Sequence, residues 1–128
     1  MILIDTSAWI EFRRDTNSDV CNRVDDLIDS SIARCDPIRM ELLAGATSAD
    51  NLGDLRALLA RTTVFSMHPE HYEMASSLYR SARSRGLTVR STVDCLIAAI
   101  AIDHGLPLLT ADRDFAFLTQ VSDLILAR

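Results

Sequence analysis

Ile2-Leu3-Ile4-Asp5-Thr6-Ser7 is the stretch that decides the fold. Three successive apolar residues with no polar alternation describe a strand buried on both faces, and the acid and two hydroxyl residues that follow describe a helix start near Ser7. The same grammar recurs along the chain. Val20, Val24, Leu27 and Ile28 stand at helical spacing. Asp36-Pro37 reads as N-cap and first position of a helix through Leu43 that ends by Gly45. Asn51 to Leu59 is amphipathic, and Thr62 to Met67 is β-rich. Pro69 opens a helix with Met74, Ala75, Leu78, Tyr79 and Ala82 on one face, closed by Gly86. Ser91 to His104 is apolar nearly all round and so predicts a central helix, closed by Gly105. Leu106–Thr110 predicts a strand, Asp112–Leu118 a short helix and Leu124–Leu126 a last strand. Apolar strands alternating with helices give an α/β fold with a parallel sheet covered on both faces, in which ligands bind at the carboxyl ends of the strands.

Composition narrows the function. The 128 residues are 48% apolar with four Gly and three Pro, which predicts one soluble domain over residues 1–128. Thirteen basic against eighteen acidic residues give a net charge of −5, so any binding of a polyanion has to be local. All thirteen bases are Arg. The absence of lysine excludes Schiff-base enzymes and the P-loop, and it argues against response-regulator receivers and Asp-x-Asp phosphohydrolases, which depend on one. Cys21, Cys35 and Cys95 form no Cys-x-x-Cys pair and predict a reducing, cytoplasmic setting. No leader peptide is expected before Ile2. The longest apolar run, 95–102, is eight residues, well short of the roughly 20 a bilayer span needs.

Four acids occupy positions where a carboxylate is costly. Asp5 and Asp112 sit at strand ends, where each could instead be an N-cap. Glu41 shares a helical row with Ile38, on or beside an apolar face, although an edge position with its head in water serves equally. Asp94 heads the row Ile97, Ala98 and Ala101 on the most apolar helix, with a capping box to Ser91 as the competing role. If the four converge to ~5 Å, each pair repels by about 3 kcal/mol at an effective dielectric near 20, and a cation or a shared proton has to relieve it. Oxygen donors without His or Cys favour Mg²⁺ or Mn²⁺ over Zn²⁺.

Four segments together, Ile2-Leu3-Ile4-Asp5-Thr6-Ser7-Ala8-Trp9, Pro37-Ile38-Arg39-Met40-Glu41-Leu42-Leu43-Ala44-Gly45, Thr92-Val93-Asp94-Cys95-Leu96-Ile97-Ala98-Ala99 and Leu109-Thr110-Ala111-Asp112-Arg113-Asp114-Phe115, resemble the PIN-domain ribonucleases, and among them the VapC toxins of bacterial toxin–antitoxin pairs. The resemblance implies a three-layer fold around a five-stranded parallel sheet and metal-dependent endonucleolytic cleavage of RNA. The acidic quartet falls on Asp5, Glu41, Asp94 and Asp112, with Asp114 a possible fifth contributor. Thr6, Ser7 and Thr110 match small hydroxyl positions that could hold the carboxylates. Arg13, Arg14, Arg39, Arg90 and Arg113 flank the motifs, and Arg13, Arg90 and Arg113 are the expected phosphate contacts. The resemblance also implies a VapB-like antitoxin and a homodimer, with the helical segments 18–29 and 50–60 as candidate partner surface. The alternative is a PIN fold without catalysis that acts as a binding or regulatory module in the antitoxin complex.

Overall fold

The computed structural model describes all 128 residues. Strand β1 (Ile2–Ile4) lies inside a four-stranded sheet of order β3-β2-β1-β4, formed with β2 (Ile32–Arg34), β3 (Thr63–Val64) and β4 (Leu108–Leu109). Every pairing is parallel, with Leu3 opposite both Ala33 and Leu108. Seven helices cover the sheet: α1 (Thr6–Arg13), α2 (Asp19–Leu27), α3 (Asp36–Ala44), α4 (Ala49–Ala60), α5 (Pro69–Ser84), α6 (Thr92–Asp103) and α7 (Asp114–Thr119). Because the strands run parallel, Asp5, Cys35 and Thr110, the residues that follow β1, β2 and β4, emerge at one edge.

The expected five-stranded sheet is reduced to four strands. Where a fifth strand was expected at Leu124–Leu126, there is a single parallel bridge from Leu126 to Leu108. Leu108 donates to Ile125 O at 2.9 Å and accepts from Ala127 N–H at 2.8 Å, whereas Leu109 turns its carbonyl to Asp5 N–H on the other side. Successive residues of a parallel strand bond to opposite sides, so a two-residue strand offers one residue to each neighbour. The β-rich stretch 62–67 likewise contributes only Thr63 and Val64, both exposed at the sheet edge. Strand β2 is one that no hydrophobic run announced, since Ile-Ala-Arg is too short and too polar at its end to show a period.

Helix boundaries follow local chemistry. Ser18, Ser48 and Ser91 cap α2, α4 and α6 through their hydroxyls. Cys35 rather than Asp36 is the N-cap residue of α3, and it makes no side-chain cap bond. Gly86 and Gly105 end their helices at φ of 74° and 62°, a region that costs any residue with a Cβ. Helix α6 buries Cys95, Ile97, Ala98, Ala99, Ile100 and Ala101 in a core that also contains Trp9, Ile38 and Phe115. In α2 and α4, Val24 and Leu59 lie in this core and Val20, Leu27, Ile28 and Leu58 pack against it, so most of the apolar surface suggested for a partner is internal. No helix is long and apolar enough to cross a membrane.

A second polar constraint joins α5 to α6 at the end away from Asp94. His71 is buried; its Nδ1 accepts from the His68 N–H at 2.9 Å, so the ring proton resides on Nε2 and is donated to Asp103 Oδ2 at 2.8 Å. His104 Nε2 lies 3.6 Å from the same carboxylate oxygen, and its ring packs at 4.7 Å on Phe65. All three histidines thus gather here, and the bonds of the buried ring to both elements make the group a clamp between α5 and α6. Replacing His71 with Ala removes two hydrogen bonds and opens a void. Urea unfolding should show a loss of about 2–3 kcal/mol, and a smaller loss for Asp103→Ala at its exposed end.

Candidate metal centre

The carboxyl edge of the sheet carries the acids. Asp5 directly ends β1, is 3% exposed and caps α1 through the Ser7 N–H at 3.3 Å. Its Oδ2 also accepts from Ser7 Oγ at 2.6 Å and Thr110 Oγ1 at 3.0 Å. Capping and site membership, alternatives on sequence grounds, are therefore compatible at this residue. Burial raises the Asp5 pKa, and the hydrogen bonds from Ser7 and Thr110 partly offset that. The hydroxyl pair is fixed in turn, because Ser7 Oγ accepts from Ala111 N–H and Thr110 Oγ1 from Asp112 N–H, each at 2.9 Å. Loop 110–112 is thereby tied to the start of α1.

Glu41, half-buried on α3, receives Thr6 Oγ1 on its Oε1 at 2.7 Å. Asp94 stands in the first turn of α6, and the Ser91 hydroxyl caps Val93 N–H without any return bond from Asp94. Asp94 is the most perturbed acid of the group. Loss of hydration pushes its carboxyl up to about 7, and the negative charges of Asp5, Asp112, Glu41 and Asp114 add to the rise. All four act on Asp94, so the five carboxylates belong to one electrostatic group.

Asp112 and Asp114 complete it. Asp112 Oδ1 accepts from Asp114 N–H at 2.9 Å, which makes it the polar start of the turn into α7, although the helix itself begins at Asp114 rather than Asp112. Asp114, only 4% exposed, is held through Oδ2 by Arg90 Nε at 2.9 Å and Arg90 N–H at 3.2 Å, and its pKa is lowered by that guanidinium. Arg90 Nη2 reaches Asp112 Oδ1 at 3.2 Å. Arg90, expected to meet phosphate, is thus engaged with the acids. Arg13 and Arg113 are exposed and form no ion pair, as is Arg14, while Arg39 is half-buried on α3. Arg13 and Arg14 line a cavity of about 330 Å³ together with Glu41, Leu42, Asn51 and Leu55. Arg113 borders a shallow groove with Ser7, Ile10, Arg90 and Asp112.

The donor set suits a hard divalent cation. One carboxylate oxygen each from Asp94, Asp112 and Asp114 lie within 4.8 Å of one another. The hydrogen bonds described occupy one oxygen each of Asp5, Glu41, Asp112 and Asp114 and neither oxygen of Asp94, which leaves at least one oxygen per acid for an ion. Carboxylate oxygens alone match Mg²⁺ or Mn²⁺. Cys35 and Cys95 lie beside the acids, but burial and the neighbouring negative charges push their thiols up to about 12 and about 11, which keeps them protonated. Sequence reasoning did not find the packing of Cys35 against this group or the Arg90 bridge. The first follows from the unrecognised β2, and the second from a loop that has no periodicity to read.

Comparison with known proteins places these features in a family. The PIN domain profile matches residues 2–119. Ribonuclease VapC11 of Mycobacterium tuberculosis is 40% identical over 128 residues, covering 97% of this chain and 96% of the relative. VapC ribonuclease Mb1587 of Mycobacterium bovis matches to the same extent. Among solved structures, VapBC2 from Rickettsia felis bound to a DNA fragment from their promoter superposes with a TM-score of 0.78 at 22% identity, covering 99% of this chain and 98% of that one. VapBC-1 from nontypeable Haemophilus influenzae gives 0.77 at 19%, covering 99% and 97%. The parallel sheet, the acids at its carboxyl edge and the 40% identity agree: the chain belongs to the PIN-domain family, among the VapC proteins.

Proposed function

We propose that this chain is a metal-dependent endoribonuclease toxin of the VapC type, acting on cellular RNA in the cytoplasm and neutralised by a VapB-type antitoxin. The observation that carries the reading is the convergence of Asp94, Asp112 and Asp114, with oxygens within 4.8 Å of one another, at an edge where the charges of Asp5 and Glu41 also act on Asp94. The names of the 40%-identical relatives give RNA as the substrate class.

Asp5, Glu41, Asp94 and Asp112 would hold the ion, with Asp114 at its flank. A bound Mg²⁺ or Mn²⁺ supplies the charge that acidifies an attacking water and offsets the charge growing on the phosphate oxygens. The remaining work is done by the chain itself. Ser7 and Thr110 fix the Asp5 carboxylate and Thr6 fixes Glu41, so each presents its second oxygen without a search over rotamers. Arg13 and Arg113, exposed on either side, meet neighbouring phosphates of the strand. The cavity beside Glu41, with its floor of Leu42 and Leu55 and its two arginines, suits a segment of the antitoxin. A homodimer is part of the reading.

Purified protein incubated with total cellular RNA should give discrete fragments with Mg²⁺ or Mn²⁺ and none with EDTA. Asp5→Asn and Asp94→Asn should lower cleavage at least 100-fold while remaining folded. Background-level cleavage by the folded, metal-binding parent would favour a non-catalytic PIN module.

In the metal-free protein Asp94 has a folded pKa of about 7 against an ordinary 3.8, so the folded state binds the extra proton between those values. Stability should therefore rise as pH falls from 8 through 7 towards 4. The full shift corresponds to about 4 kcal/mol and to about half of that once water access to a half-buried side chain is counted. Melting curves in EDTA should show this slope in the parent and a shallower one in Asp94→Asn, which should be the more stable protein at pH 8.

For single-stranded RNA, each phosphate contact contributes about −0.7 to the slope of log K against log salt. Arg13→Ala and Arg113→Ala should each flatten the slope by that amount, as read by fluorescence anisotropy.

A further inference from the structure

We propose that Arg90 takes the place of a second divalent ion at this site: its guanidinium, laid across Asp112 and Asp114, keeps the five-carboxylate cluster to a single ion. The inference rests on the metal-centre reading above and adds to it the number of ions and the residue that sets it.

The cluster has more negative charge than one divalent cation offsets, since five acids meet one +2 charge. Sites that use two ions place them about 3.5–4 Å apart and bridge them with carboxylates. Asp94, Asp112 and Asp114, with oxygens within 4.8 Å of one another, could provide such a bridge. The second position, between Asp112 and Asp114, is taken. Arg90 Nε lies 2.9 Å from Asp114 Oδ2 and Nη2 lies 3.2 Å from Asp112 Oδ1, so one planar group spans both acids. A guanidinium is suited to this, because it stays charged at every physiological pH and its fork fits paired carboxylates.

The side chain of Arg90, 68% exposed, is held by the two carboxylates, and the chain around it fixes its backbone. Val89 is 3% exposed and anchored in the core, and Ser91 caps α6, so the backbone of Arg90 is fixed from both sides. The Arg90 N–H itself bonds Asp114 Oδ2 at 3.2 Å, a contact that does not use the side chain and is kept in Arg90→Gln. Substituting the side chain therefore alters charge and leaves Asp114 positioned. The arrangement also divides the acids by task. Asp114 serves as the seat of Arg90, and Asp112 gives one oxygen to Arg90 and keeps the other for the ion. Asp5, Glu41 and Asp94 form no hydrogen bond or ion pair with an arginine.

Isothermal titration of Mn²⁺ into chelator-stripped protein reads the number of ions directly, without reference to cleavage. The parent should bind one Mn²⁺ per chain, and Arg90→Gln should bind two, the first at least 10-fold tighter than in the parent. Arg90→Gln combined with Asp114→Asn should return to one, and Arg90→Lys, which keeps the charge, should remain at one. Two ions in the parent, or one ion at unchanged affinity in folded Arg90→Gln, would overturn the assignment while leaving the metal centre intact. A parent that takes up no Mn²⁺ would overturn both, and the parent count alone is decisive should Arg90→Gln fail to fold.

Discussion

Negative charges gathered in one place repel, and the architecture around β1 is arranged so that this repulsion is concentrated and then contained. Three chain segments leave the sheet at the same edge because all strands are parallel, and α6 arrives there with its first turn. The acids are thereby forced together by topology, and each is held by a different device. Asp5 is fixed by two hydroxyls, Glu41 by a third, and Asp114 by a guanidinium, while Asp94 has no hydrogen bond and takes the largest rise in proton affinity. Strain of this kind is what a binding site needs, since the free energy released when a cation enters is the repulsion already stored.

The hydroxyl network explains why this edge is stiff. Ser7 and Thr110 come from segments about a hundred residues apart in sequence, and each both donates to Asp5 and accepts from a backbone N–H of the loop after β4. One carboxylate oxygen thus ties the first and last crossovers of the sheet to each other. A short sheet of two- and three-residue strands has few ladder bonds of its own, and side-chain bonds across its edge make up part of that deficit.

How much of this was legible depended on the length of the signal. Helix α6 could be read from its apolar run and closing glycine, and α5 from Pro69, its periodic face and Gly86. Asp5 and Asp112 could be placed at the carboxyl edge because they follow apolar strands, and Glu41 and Asp94 stood out because the four segments carry the family pattern together. Strand β2 was not legible: three residues ending in Arg show neither alternation nor a run, and its place is decided by pairing with β1 and β3. The width of the sheet was overread because pairing at Leu126 is limited by the two residues of β4 and not by the apolarity of the segment. The His71–Asp103 clamp and the Arg90 bridge join residues 32, 22 and 24 positions apart, and no local pattern encodes contacts of that range.

The three cysteines give the molecule a built-in reporter. Cys35 and Cys95 sit at the starts of α3 and α6, the two helices that bring Glu41 and Asp94 to the edge, and Cys21 is buried in α2. Cys35 and Cys95 are shielded and protonated and Cys21 is shielded, so none can react with a thiol reagent while its helix is in place. Alkylation rates of the native protein therefore measure how often these helices lift from the core. Since Cys35 and Cys95 adjoin the acids and Cys21 does not, the contrast between them separates opening of the acidic edge from opening of the fold as a whole.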